Sequence, residues 1–204
     1  MTRIIAGEAR GRRLVTPKGT DTRPTLDRAR EAIFSSWSTR FGIEGTNVLD
    51  LFAGSGALGL EAASRGADQV TLVENSPKAI AAIRTNMQTV GHPRCHLAEM
   101  KVSTFLSGTP SQQFDRVIAD PPYDLSGEAV TEMLEALRPF LADGAVVTIE
   151  RHRDDEETVW PTGYDMLQQK LKRRIHGLAR FDTAIFDAEQ EATGEPSTSE
   201  SEES

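Results

Sequence analysis

Ten residues, Asp50-Leu51-Phe52-Ala53-Gly54-Ser55-Gly56-Ala57-Leu58-Gly59, restrict this chain more than any other stretch. They follow an apolar strand read over 48–52 and open a helix read over 57–64, which Gly66 ends. Gly54, Gly56 and Gly59 match G-x-G-x-x-G, in which glycines allow a tight turn and let a ligand approach the backbone at a helix N-terminus. The same strand–helix unit then recurs. A strand over 70–73 precedes a helix over 77–90, with Pro77 in its first turn and Gly91 just past its end. Strands follow over 95–97, 115–119 and 145–149, with helical segments over 104–107 and 127–137. Two last strands, over 166–175 and 179–186, turn at His176-Gly177. Repeated βα units predict an α/β, Rossmann-like fold: a mostly parallel seven-stranded sheet with helices on both faces.

The segment before this pattern is basic. Its first forty residues hold nine Arg or Lys against four acids, whereas the whole chain has a net charge of −8. Seven acids and no Lys or Arg lie over 187–204, so the chain without this stretch is nearly neutral. Ile4-Ile5-Ala6-Gly7 and Arg12-Arg13-Leu14-Val15 read as a β-hairpin around Glu8-Ala9-Arg10-Gly11. A helix is expected from Thr25, with Thr25 as its N-cap. The expected organisation is a basic hairpin extension (1–24), a main domain (25–186) and a disordered acidic tail (187–204). A lone Cys95 permits no internal disulfide, and no signal peptide or spanning segment is evident, so a cytoplasmic protein away from membranes is expected. His92, His96, His152 and His176 have no metal-ligand spacing, and no metal is expected.

In its strand–loop–helix context the glycine run suits NAD, FAD or S-adenosylmethionine. Glu74 closes the second strand about twenty residues on, the place of a ribose-binding acid. Asp50 separates the options. A carboxylate beside the loop repels a pyrophosphate and suits a cationic sulfonium and ammonium, although it also has the chemistry to cap loop amides. A second motif, Asp120-Pro121-Pro122-Tyr123, ends the strand over 115–119 at the same sheet edge. The prolines fix φ and remove N–H donors. The Asp120 carboxylate and Pro121 carbonyl can accept the hydrogens of a planar nucleobase amine and direct its lone pair at a methyl donor, while Tyr123 stacks on the base. Glu150 ends the last parallel strand and reads equally as a neighbour of this site or as a structural residue.

At these motifs the chain resembles S-adenosylmethionine-dependent methyltransferases with a D/N-P-P-Y/F sequence. More narrowly it resembles the bacterial RsmD family, the 16S rRNA guanine-N2-methyltransferases. The likeness runs from Arg3 to about Phe186 and includes Arg3-Ile4-Ile5-Ala6-Gly7, Arg10-Gly11-Arg12, Arg23-Pro24-Thr25, Asp27-Arg28 and Arg30-Glu31 besides the two motifs. It implies an S-adenosylmethionine site of Asp50, Phe52, Ala53, Gly54, Ser55, Gly56, Gly59, Glu74, Asn75, Lys101 and Val102. It implies catalysis by Asp120, Pro121, Pro122 and Tyr123. It further implies an RNA grip of Arg3, Arg10, Arg12, Arg13, Arg23 and Arg28 on 16S rRNA of the small subunit, with ribosomal proteins as partners and the enzyme a monomer. One departure is Glu99-Met100-Lys101-Val102, where related enzymes often carry an acid or amide for the adenine amine. Competing readings are a DNA adenine-N6-methyltransferase, a non-enzymatic RNA-binding or ribosome-assembly protein, and a hydride-transfer enzyme. Asp50 and the Pro-Pro turn argue against the last.

Overall fold

The structure, a computed structural model, describes residues 2–17, 24–168 and 174–189, and only the backbone of 24–28. Arg23 and the tail beyond 189 lie outside the described residues, as does the side chain of Arg28. The parallel core consists of β3 (Asn47–Leu51), β4 (Gln69–Glu74), β5 (Cys95–Glu99), β6 (Phe114–Ala119) and β7 (Leu141–His152). β10 (Ala179–Phe186) runs antiparallel to β7 and pairs on its other edge with β8 (Tyr164–Met166). Among the described residues the order is β5-β4-β3-β6-β7-β10-β8, with the two-residue β9 (Ile175–His176) pairing the opposite end of β10. The chain runs outward from β3 to β5, then crosses back to lay β6 on the other side of β3. This reversal puts a topological switch point between β3 and β6, where open α/β sheets leave a crevice at the carboxyl ends of their strands.

Alternation along each strand divides the core into two layers. Val48, Val70, Leu72 and Ile118 pack with α1 (Pro24–Arg40), α2 (Ala57–Ser64) and α3 (Pro77–Val90) on one face. Leu49, Leu51, Val73 and Val117 pack with α4 (Val102–Leu106) and α5 (Gly127–Leu137) on the other. Asp50 shares its face with Val48 and so points beneath α2, where it is fully buried.

The N-terminal hairpin forms with shorter paired strands: β1 (Thr2–Arg3) lies just ahead of the expected 4–7, and β2 (Arg13–Leu14) lies within the expected 12–15. The chain between them is held by the hairpin's union with α2. Glu61, completely buried, accepts from Ile5 N at 2.8 Å and Ala6 N at 3.0 Å. The Ser64 hydroxyl accepts from Ala9 N at 2.9 Å and donates to the Ala6 carbonyl at 2.6 Å. Helix α1 begins at Pro24, so Thr25 lies within its first turn and is not its N-cap.

Of the expected strand over 166–175, residues 169–173 lie outside the described residues; its described ends belong to two short pieces, β8 and β9, at opposite ends of β10. Buried charge accounts for the difference: Arg174 turns inward and pairs with Asp182 at 2.7 Å, and Arg180 reaches the same carboxylate at 3.0 Å. Arg174 therefore offers nothing to an external surface. Thr158 donates to Asp182, and Arg180 to the carbonyls of Asp155 and Glu156, so the 153–158 run is strapped onto β10.

Candidate active site

The two motif loops leave the sheet side by side. Leu51 and Ala119 are register partners on β3 and β6, and Asp120 N donates to the Leu51 carbonyl at 3.3 Å. Adjacent strands lie about 4.8 Å apart, so both loops start within one ligand's span. Phe52 turns the first loop out of the strand at φ 60°, a left-handed conformation that costs a non-glycine residue about 1–2 kcal/mol. Gly54 and Gly56 continue at φ 57° and 74°, which glycine adopts without that cost.

Glu74 organises the loop from β4. Its Oε2 accepts from Gly54 N and its Oε1 from Asn75 N and Ser76 N, each at 2.8 Å. Asn86, buried in α3, donates to the Ser55 carbonyl and also holds both backbone groups of Val15. The hairpin's exit and the glycine loop thus share one side chain.

A cavity of about 540 Å³ opens beside this rim, within the roughly 300–1,000 Å³ usual for small-molecule sites. Phe52, Glu74, Asn75, Lys101, Val102 and Pro122 line it together with apolar side chains of α4 and α5. Asp50, Ala53, Gly54, Ser55, Gly56 and Gly59 are not part of its lining, nor are Asp120, Pro121 and Tyr123. Asp50 acts from below: Oδ2 accepts from Gly59 N at 2.8 Å, while Oδ1 is buried without a hydrogen-bond partner. The amide-capping role is therefore the one the carboxylate fills. Glu99 turns outward to Arg84 at 2.5 Å, so the wall of the cavity after β5 is Met100, Lys101, Val102 and Ser103.

Four carboxylates, Asp50, Glu74, Asp120 and Glu150, give the rim its electrostatic character. Burial pushes Asp50 up to about 7, against the Gly59 hydrogen bond and with help from Asp120 and Glu74. Asp120 keeps an accessible surface, yet surrounding protein displaces enough water to push it up to about 6. Burial, then the Asp120 charge, pushes Glu150 up to about 8, opposed by a hydrogen bond from Tyr123. A site this rich in poorly solvated carboxylates favours a cationic ligand.

The hairpin carries the opposite sign. Arg3, Arg10, Arg12 and Arg13 are exposed, and Arg3 and Arg13 are direct cross-strand partners. Like charges directly opposite are destabilising in an isolated ribbon and are relieved by a polyanion. Arg12 is spent differently: its Nη1 donates to the carbonyls of Thr89 and Val90 at 2.7 Å and caps the end of α3.

Residues 2–178 match the family described as conserved hypothetical protein 95, that of RsmD. The chain belongs to the RsmD family. The ribosomal RNA small subunit methyltransferase D of Escherichia coli (strain K12) is 33% identical over 175 residues, 85% of this chain and 86% of that relative. The solved structure of yhhF from Escherichia coli matches with a TM-score of 0.77 at 30% identity, covering 92% of this chain and 98% of that one. Magnesium protoporphyrin IX methyltransferase from Synechocystis, solved with bound S-adenosylmethionine, shares the fold alone: TM-score 0.63, 14% identity, 80% of each chain.

In this RsmD-family methyltransferase the structure decides one residue that the sequence left open and adds two that it did not single out. Glu150 accepts from the Tyr123 hydroxyl at 3.1 Å and so belongs to the rim. Its signal was its position one residue past the last parallel pair of β7 with β6, Ala119 with Ile149, level with Asp120. Glu61 and Ser64 had none, since their hairpin partners lie 55 or more residues away in sequence. Among the described residues no His, Cys, Asp and Glu cluster suited to a metal is present, and no helix is long and apolar enough to cross a membrane.

Proposed function

We propose that this protein transfers a methyl group from S-adenosylmethionine to the exocyclic N2 amine of a guanine in 16S rRNA of the small ribosomal subunit. The observation that carries the reading is the departure of the glycine loop and the Asp-Pro-Pro-Tyr turn from paired positions at the switch point, with Phe52 and Pro122 on one cavity. The small-subunit rRNA is supported by the named relative; the guanine N2 amine is what the resemblance of the sequence motifs to the RsmD family implies.

The residues present fit the cofactor: a largely apolar-walled cavity with the Glu74 carboxylate at the end of β4 and Glu132 on α5 in its lining, and a buried carboxylate oxygen lacking a partner below the loop. S-Adenosylmethionine, when bound, supplies a methyl group made electrophilic by its sulfonium. Glu74 has lone pairs left for ribose hydroxyls, and Phe52, Asn75, Lys101 and Val102 would enclose the adenosine. Backbone groups from Ala53 through Gly56 would hold the amino-acid end, with Gly59 and Asp50 fixing the loop and Asp50 adding negative potential. Asp120 and the Pro121 carbonyl accept the two hydrogens of the guanine amine, which turns its lone pair toward the cavity. Asp120 then takes the proton released as the new C–N bond forms. A pKa of about 6 leaves it mostly ionised at neutral pH and still basic enough for this role. Arg3, Arg10 and Arg13 on the hairpin, with Arg23 and Arg28 following, neutralise RNA phosphates.

The test is mass spectrometry of 16S rRNA nucleosides from a strain lacking the gene, complemented with wild type or Asp120→Ala. Wild type should restore N2-methylguanosine; Asp120→Ala should lower transfer at least about a hundredfold while RNA binding is kept. Unchanged rRNA nucleosides on deletion, with methylation of naked DNA by the purified protein, would favour the adenine-N6 reading instead.

A further inference from the structure

We propose that Glu150 is a positioning residue of the methyl-transfer site: it anchors the Tyr123 hydroxyl, so that the ring stands ready for the target base before RNA arrives. The inference rests on the functional reading above and adds a residue to it. Tyr123 is 53% exposed, unusual for a large aromatic side chain at a rim otherwise built of packed loops. A side chain so placed would sample several rotamers unless held. Its hydroxyl donates to Glu150 Oε1 at 3.1 Å, and its ring meets His152 edge-on, with centroids 5.5 Å apart at 79°. Glu150 and His152 are two apart on β7 and so share a face of the sheet. Between them Arg151 points the other way and donates to the Leu125 carbonyl at 3.2 Å, while Leu125 N donates to the Pro122 carbonyl. Three consecutive residues of β7 therefore brace the turn over 122–125 from both sides.

Stability does not explain Glu150. It is buried beside Asp120, and among the described residues no cation pairs with it. A buried carboxyl group in that setting is costly, and an apolar side chain of similar size would pack at lower cost. Burial and the neighbouring Asp120 raise its pKa, which favours the neutral acid and lets it accept from Tyr123 without setting a second full charge against Asp120. The role thus needs an acceptor oxygen and not a negative charge. Ordering one side chain in advance spares that cost at binding and is worth roughly two- to tenfold in affinity for the base.

Transfer from labelled S-adenosylmethionine to small subunits lacking the modification separates the outcomes, using wild type, Glu150→Gln, Glu150→Ala, Tyr123→Phe and Glu150→Ala/Tyr123→Phe. Glu150→Gln keeps an acceptor oxygen and should stay within about twofold of wild type. Glu150→Ala and Tyr123→Phe should each lower kcat/KM for the subunit about fivefold, with S-adenosylmethionine affinity unchanged. The double variant should be no worse than either single one, because both remove the same bond. Losses that multiply in the double variant, or a Glu150→Gln enzyme as impaired as Glu150→Ala, overturn the proposal. So does wild-type activity in Tyr123→Phe, a variant whose packing is unaltered. An inactive wild type would instead count against the methyltransferase reading itself.

Discussion

Replacing Asp50 by Asn should make the ligand-free protein more stable at alkaline pH and leave it little changed in acid. Asp50 is fully buried, and its pKa rises from 3.8 to about 7. A carboxyl group whose pKa is raised by folding holds its proton more tightly in the native state. Its contribution is complete below pH 3.8 and is lost as pH climbs through 7. At about 1.4 kcal/mol per pH unit, that interval costs about 4 kcal/mol once Asp50 is ionised. Asn keeps the oxygen that accepts from Gly59 N, but sets its amide where Oδ1 now has no partner, which takes back about 1–2 kcal/mol. The net gain is about 2–3 kcal/mol at pH 8. It should be absent at pH 4, where both side chains are neutral. Urea unfolding of both proteins at pH 4, 6 and 8 measures this directly. The same variant should bind S-adenosylmethionine less tightly, with a smaller loss for S-adenosylhomocysteine, which keeps the ammonium but has an uncharged sulfur. An Asp50→Asn advantage that does not grow with pH would refute the reasoning that ionised Asp50 is unfavourable in the empty fold.

Two further perturbations address the hairpin. Arg10→Ala/Arg13→Ala should weaken rRNA binding and reduce the slope of log affinity against log salt by about 1.4–1.8, read by filter binding across salt concentrations. Arg12→Ala should instead lower the melting temperature, because Arg12 caps the Thr89 and Val90 carbonyls. Gly7→Ala should release the hairpin from the sheet: at φ +83° an added Cβ would lie 1.7 Å from the Ser64 carbonyl oxygen. A loss of at least about 2 kcal/mol is expected. Hydrogen exchange should quicken at Ile5, Ala6 and Ala9 while β3 stays protected, and unchanged protection at those amides would contradict it.

The parts legible in the sequence are those whose signals are local. Helices α2, α3 and α5 begin and end where expected, since Gly56, Gly66, Pro77 and Gly91 punctuate them at fixed offsets. The parallel strands are apolar runs, and their positions follow from alternation with helices. What the sequence could not disclose depends on partners distant along the chain. Whether Asp50 meets a ligand or caps Gly59 cannot be read from a carboxylate at a strand end, since both roles need the same group there. Arg12 belongs to a basic cluster, and only the approach of α3 distinguishes a helix cap from a phosphate contact. The strand over 179–186 is legible despite Arg180 and Asp182, but the inward turn of Arg174 onto Asp182 is not, because that partner lies on another segment of the chain.

The union of the hairpin with α2 and α3 through Glu61, Ser64 and Arg12 has a geometric consequence. The surface that would hold rRNA and the edge from which the methyl group would leave behave as the jaws of a fixed-gap gauge. Neither jaw swings. Selection of one nucleotide then falls to the RNA, which must present its target at the span the protein has already set.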